Sequence, residues 1–416
     1  MNNSIQKMPK QILKFPEGFL WGAAGSAYQT EGGNTNADWW AWEHSPRRED
    51  QLLAERKNPI DYQSGQAADF WNRYDEDFAL AQHLNHNATR FGLEWSRIEP
   101  EEGKFDERVL DHYEKMLQSA KFHGLKVFLT IHHYTSPVWF MKRGGFTKRG
   151  NLFLFLRYAQ KVARRLNQYV DFWVTINEPG LYAGQSYWLG VHPPQVKSFR
   201  QAWKVVDNLI LAHNELAEFL HQNFSQPVSV ASNLSDLQPS GFLGWLAVDL
   251  VDYVVNEYIM RRTIDACDYI GVNYYFHHHI SIFGIRKHSH SQHNETDRGW
   301  GIHPDGIERV LLGLRKYRKP IYIIENGIAD AKDEKREQFI KEHLFYVHRA
   351  IQKGADVRSY LYWSLTDNFE WEEGFWPRFG LIEIDRNNLL RRKVRYSALK
   401  FGEICKSNQM EYDPGL

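Results

Sequence analysis

Eight short apolar runs, rich in β-branched and aromatic residues, alternate along this chain with eight amphipathic segments of helix length. The runs cover residues 19–24, 88–93, 125–131, 172–176, 228–231, 269–273, 320–324 and 358–365. The helical segments that follow them cover 65–84, 106–123, 152–166, 199–224, 245–261, 304–317, 334–353 and 396–405. Helical spacing is clear in the second, where Val109, Leu110, Tyr113, Met116, Leu117 and Ala120 share one face, and Gly124 follows at a C′ position. In the third, Leu152, Phe155, Leu156, Ala159, Ala163 and Leu166 do the same. Continuous apolar runs are buried on both faces, as in a parallel sheet covered by helices. No long linker or low-complexity segment interrupts the alternation. It predicts an α/β fold: a single (β/α)8 TIM barrel over residues 1–416, with residues 1–14 as a loosely ordered extension.

Composition narrows the partners. Lys+Arg and Asp+Glu are both 51, a formal net charge of zero, so nothing points to nucleic acid or an anionic membrane. The N-terminus has no apolar h-region, and no run of about 18 apolar residues occurs, so neither a signal peptide nor a membrane span is expected. Cys267 and Cys405 stand far apart and make no metal spacing. They read as buried or free thiols of a reducing compartment, and a cytoplasmic location is expected. Aromatic residues make up 15% of the chain, which suits stacking against sugar rings and also a large core.

Two of the apolar runs end in a glutamate followed by a chain breaker. Thr175-Ile176-Asn177-Glu178-Pro179 closes the fourth run, and Ile323-Ile324-Glu325-Asn326-Gly327 the seventh. An apolar strand fixes the backbone, and the breaker aims the acid out of the strand's C-terminal end, where barrels of this kind carry their active sites. Gln29, Arg90, His133, Asn177, Tyr275 and Trp363 cluster toward or after the C-terminal ends of strands too. Two carboxylates from different strands can converge on one bond; the alternative is two ordinary solvated strand ends.

Eight blocks in order extend this reading. They are Phe19-Leu20-Trp21-Gly22, Tyr28-Gln29-Thr30-Glu31-Gly32, Arg90-Phe91, Trp95-Ser96-Arg97-Ile98, Asn177-Glu178-Pro179, Asn273-Tyr274-Tyr275, Glu325-Asn326-Gly327, and Trp363 through Trp371. Together they resemble glycoside hydrolase family 1, the β-glucosidase and β-glycosidase family. The resemblance implies a retaining, exo-acting β-glycosidase without a cofactor or metal, acting on small β-glycosides or short oligosaccharides. It implies Glu178 as acid/base and Glu325 as nucleophile, about 5–5.5 Å apart, with Arg90 and Tyr275 supporting the nucleophile. It implies Gln29, His133, Asn177, Glu370 and Trp371 around the glycone, Trp363 as its floor, and Trp300 under the aglycone. Tyr134, Tyr275 and Phe379 complete the expected substrate-binding set.

The chain departs from the family pattern in places. Tyr134 stands where tryptophan is usual, Thr135-Ser136-Pro137 where Asp-Leu-Pro is usual, and Ile324 where threonine is usual. The first two departures bear on contacts to the sugar's 3-hydroxyl side. The stretch between the two glutamates is short, which predicts trimmed loops and a mobile, glycine-flanked Trp300. A loop with His277, His278, His279, His288, His290 and His293 lacks the carboxylate or cysteine spacing of a metal site. A 6-phospho-β-glycosidase and a catalytically silent sugar-binding protein are the competing readings. The intact Glu370-Trp371 pair argues against the first, and the presence of both glutamates against the second.

Overall fold

A computed structural model describes residues 11–241, 243–286 and 295–413. The eight expected strands are all present: β1 (Leu20–Ala24), β2 (Ala88–Gly92), β3 (Lys126–His132), β4 (Phe172–Asn177), β5 (Val228–Pro239), β6 (Ile270–Ser281), β7 (Ile321–Asn326) and β8 (Val357–Trp363). Each pairs in parallel with its sequence neighbours, and β8 pairs with β1, so the sheet closes into a barrel. Among the described residues, a helix follows each strand on the outside of the barrel: α1 (Phe70–His83), α2 (Glu107–Phe122), α3 (Leu152–Leu166), α4 (Phe199–Asn223), α5 (Gly244–Asp252), α6 (Pro304–Leu314), α7 (Arg336–Gln352) and α8 (Tyr396–Ser407). Among the described residues, no helix is long and apolar enough to cross a membrane.

Two layers of core follow from the strand pattern. Inside the barrel, Ala88, Phe128, Val174, Ala231, Tyr269, Tyr322, Ile324 and Leu361 fill the axis. Phe128 and Phe172 stack there at 4.1 Å between ring centres. The alternate positions point outward into the layer shared with the helices, where Leu117, Phe155, Leu216, Ile307 and Leu344 are buried. Aromatic barrel packing of this kind closes the lower half and leaves the polar residues to the C-terminal ends.

Three expectations are corrected. Gln11–Lys14 are not loosely ordered: they form a strand antiparallel to Gln409–Tyr412, which buries Leu13 against Met410. Two short strands near the chain ends shield each other's apolar residues, which neither could do alone. β5 and β6 run to 12 residues each, well past the apolar runs. Their outer halves pair with each other, Asp236 opposite His277 and Gln238 opposite His279, and the end of β6 also pairs antiparallel with Gly284–Arg286. His277, His278 and His279 are therefore strand residues, not loop. His288, His290 and His293 lie outside the described residues.

The connection after β8 carries Glu370, Trp371 and Phe379 and ends in a hairpin, Ile382–Asp385 with Arg391–Val394. Arg392 of that hairpin meets Asp77 of α1 in a two-pronged ion pair of 2.8 and 2.9 Å with both side chains buried. Removing one partner leaves an uncompensated buried charge, a loss of roughly 3–5 kcal/mol. Arg392→Met should lower unfolding stability by about that much in urea titration. Adding Asp77→Leu should restore most of it; a double variant no more stable than the single one would show that the pair does not act as a unit.

Candidate active site

The two glutamates face one cavity of about 120 Å³ at the C-terminal end of the barrel. Its walls include His133, Tyr134, Asn177, Tyr275, Trp300, Trp363, Glu370, Trp371 and Phe379. Two expected site residues lie behind those walls. Arg90 sits beneath the carboxylates with its side chain fully buried. Gln29 donates to Phe369 O (3.0 Å), Asn368 Oδ1 (3.2 Å) and Glu370 Oε2 (3.3 Å), so it braces the Glu370 segment.

Glu178 owes its direction to the turn after β4. Its φ is 44° and ψ 60°, a left-handed conformation costly for a non-glycine residue, and Pro179 then starts a short helix. Glu325 is the penultimate residue of β7. After Asn326 the chain passes so close to β8 that a Cβ on Gly327 would lie 1.8 Å from the Trp363 carbonyl oxygen. That approach explains the glycine of the Glu-Asn-Gly motif.

The carboxylates have different surroundings. Arg90 donates to Glu325 Oε1 at 2.5 Å through Nη1 and to Asn177 Oδ1 at 2.6 Å through Nη2, while its Nε donates to Thr130 Oγ1 at 3.0 Å. Tyr275 donates to Glu325 Oε2 at 3.0 Å. Burial pushes the Glu325 carboxyl above the ordinary carboxylate range; Arg90 and Tyr275 pull it back, and the nearby Glu178 adds to the rise. Glu178 meets neutral donors instead. Asn273 and Asn233 donate to its Oε1 at 2.7 and 3.0 Å, and the Tyr134 hydroxyl donates to Oε2. Tyr134 thus engages a carboxylate here, a partner its sequence context did not suggest.

His133 accepts from Asn177 Nδ2 at 3.2 Å through Nε2. Burial and the charge of Arg90 hold its pKa well below the usual imidazole range, so the ring is neutral. At the far end of the cavity, Arg298 donates to Glu370 Oε1 at 2.9 Å and lies 4.0 Å over the Trp300 ring. Trp300 also packs on Phe276 at 4.7 Å and on Phe379 and Tyr275 at 6.1 Å. Its backbone N–H bonds to Thr296 Oγ1. These contacts hold the ring in place, against the expectation of a mobile tryptophan. Asn233, Phe276, Arg298 and His192 line the cavity and were missed from sequence. Asn233 carried a usable signal, since it comes two residues after the fifth apolar run, whereas Arg298 sits in a loop with none. Among the described residues, no group of three His, Cys, Asp or Glu side chains is arranged to hold a metal.

Known proteins resemble this chain in sequence and fold. The model of glycosyl hydrolase family 1 matches residues 11–241 and 251–410. Beta-glucosidase A of Acetivibrio thermocellus is 29% identical, over 95% of this chain and 99% of that protein. A beta-galactosidase of Saccharolobus solfataricus is 30% identical, over 95% of each. Among solved structures, a beta-glycosidase from Pyrococcus horikoshii superposes with a TM-score of 0.87 at 36% identity, covering 97% of both chains. The beta-glucosidase from Thermotoga maritima in complex with glucoimidazole also gives 0.87, at 27% identity, over 95% of this chain and 99% of that one. With a family match that spans nearly all of a closed barrel and two carboxylates meeting in its mouth, the chain belongs to glycosyl hydrolase family 1 and is a glycoside hydrolase.

Proposed function

We propose that the protein is a retaining, exo-acting β-glycosidase that releases a neutral terminal sugar from small β-glycosides. The observation that carries the roles is the placement of Arg90. Among the described residues, the full positive charge touching the carboxylate pair is that of Arg90, bonded to Glu325, which favours its ionised form and suits a nucleophile. Glu178 has neutral donors around it and no cation, which leaves it for the acid/base role. In the first step Glu325 bonds to the anomeric carbon while the C–O bond breaks, its electron pair passing to the leaving oxygen, which takes the proton of Glu178. In the second, Glu178 removes a proton from water, the water oxygen bonds to the anomeric carbon, and the Glu325 ester bond breaks.

The glycone end of the cavity supports a neutral sugar. Glu370, Glu372 and Glu373 lie there against Arg298, an excess of negative charge that disfavours a 6-phosphate. Trp363 and the neutral ring of His133 offer an apolar face and a hydrogen-bonding edge. The unpaired, buried thiols of Cys267 and Cys405 fit a cytoplasmic setting.

Hydrolysis of chromogenic aryl β-glycosides tests the activity. Glu325→Gly should lose several orders of magnitude in turnover and regain activity with azide, giving an α-glycosyl azide. Glu178→Ala should lose most on poor leaving groups and give a β-azide. A Glu178→Ala variant that cleaves an unactivated disaccharide at the normal rate would remove the acid assignment.

Stereochemistry is a separate test. Double displacement releases the β-anomer first. Proton NMR in early turnover should show it, and an α-anomer appearing first would exclude retention.

A pH effect follows from Glu370, whose pKa burial raises to about 7 against the pull of Arg298. Its carboxylate, the acceptor for sugar hydroxyls, is lost as pH falls through that value. KM should therefore rise by about tenfold for each pH unit below it, while kcat changes less. Glu370→Gln should flatten the dependence. A KM that stays constant from pH 8 to pH 5.5 would show that Glu370 is not a glycone acceptor.

A further inference from the structure

The two oxygens of Glu178 meet partners of different chemistry, and the difference can be traced back to Arg90. A guanidinium only donates. Asn177 must therefore present its Oδ1 to Arg90 Nη2, at 2.6 Å. Asn273 Nδ2 lies 3.2 Å from that same oxygen and can approach it only as a donor, which turns the same amide nitrogen toward Glu178 Oε1 at 2.7 Å. Asn233 adds a second amide donor to Oε1. An amide N–H cannot accept, so Oε1 has to remain an acceptor whether or not the carboxyl carries a proton.

Oε2 faces the Tyr134 hydroxyl instead. A hydroxyl donates to a carboxylate and, turned about its C–O bond, accepts from a carboxylic acid. Only Oε2 can bear the proton without setting two hydrogens against each other. Tyr134 is built to stay in place: it is 3% exposed, its φ is +69°, and its ring packs on Trp371 at 5.0 Å and on Tyr182 at 6.2 Å. Burial and the charges of Glu178, Glu325 and Glu370 keep its phenol protonated, so it does not replace Glu178 as the acid.

We propose that Tyr134 is a positioning residue of the acid/base, which assigns the proton to Oε2 of Glu178 and holds that oxygen in line for the leaving group. This rests on the reading of Glu178 as acid/base. In glycosylation the Oε2 proton turns from the Tyr134 hydroxyl to the glycosidic oxygen and passes to it as the C–O bond breaks, while the hydroxyl turns to donate to the new carboxylate. In deglycosylation Oε2 takes a proton from water and the hydroxyl turns back. The family resemblance implied a different role, a direct contact to the sugar.

A leaving-group series on one glycone separates the two roles. Tyr134→Phe keeps the ring and removes one hydroxyl. For alkyl glycosides and other poor leaving groups, kcat/KM should fall about tenfold to a hundredfold, the range of one hydrogen bond to a charged group. For a dinitrophenyl glycoside, which needs no acid, the fall should stay below about threefold. Inhibition by the free sugar should be unchanged. An equal loss on every leaving group, with weaker sugar inhibition, would overturn the proposal and make Tyr134 a glycone contact. In a Glu178→Ala background Tyr134→Phe should add no further loss, and an additive loss there would overturn it as well. The same series on Glu178→Ala isolates the underlying reading. A flat response in Glu178→Ala defeats both, whereas a steep response there with a flat one in Tyr134→Phe defeats the Tyr134 proposal alone.

Discussion

A guanidinium cut off from water lies under the carboxylates, and the polarity of the site is set from it outward. Arg90 takes its partners from three other strands: Thr130 on β3, Asn177 on β4 and Glu325 on β7. Removing such a charge from water costs several kcal/mol, which is offset only if every donor is used and a carboxylate stands opposite. The arrangement therefore tolerates little slack. It also has consequences two bonds away, because the orientation it forces on Asn177 fixes Asn273, and Asn273 fixes one oxygen of Glu178. An ion pair on Glu325 thereby decides how Glu178 is presented.

The cavity wall built by the segment after β8 is braced as well, without being part of the barrel. Loops place side chains less exactly than strands unless a second layer braces them. Here Asp367 is gripped by both terminal nitrogens of Arg395 at 2.9 Å, Gln29 bonds the backbone of Phe369, and Trp371 stacks on Tyr28 with 6° between ring planes. Arg392 and Asp77 tie the following hairpin to α1. Glu370 and Trp371 are thus carried on a loop whose freedom has been spent on buried ion pairs and aromatic packing.

What could be read from sequence follows the same division. The eight strands were legible because a parallel barrel strand is buried on both faces and leaves an unbroken apolar run. The two glutamates were legible because each closes such a run. The outer halves of β5 and β6 were not, since Asp236 to Gln238 and His277 to His279 pair beyond the barrel core and carry mixed polar residues. Arg298 and Trp300 were misjudged or missed because flanking glycines suggest freedom, while the cation–π contact and the Thr296 bonds that remove it leave no local pattern. Gln29 was legible as a site residue, but its commitment to Glu370 depends on a contact 341 positions away.

The departure at residues 134–136 shows how a family position can change partner without loosening the site. Tyr134 donates to Glu178, Thr135 Oγ1 to Glu94 Oε2 at 2.8 Å, and the Ser136 backbone N–H to Asp38 Oδ1 at 2.9 Å. Each of the three therefore gives a proton to a different buried acid. Burial pushes Glu94 above the usual carboxylate range and Asp38 up to about 8, so these acids gain from every donor within reach. An unsatisfied carboxyl at such depth would cost more than a lost surface contact. Tyr134 reaches its acid from a left-handed backbone, and Glu178 meets it from another. Two strained residues from neighbouring strand ends are held by one bond between them, which ties the strand that carries the acid to the strand that aims it.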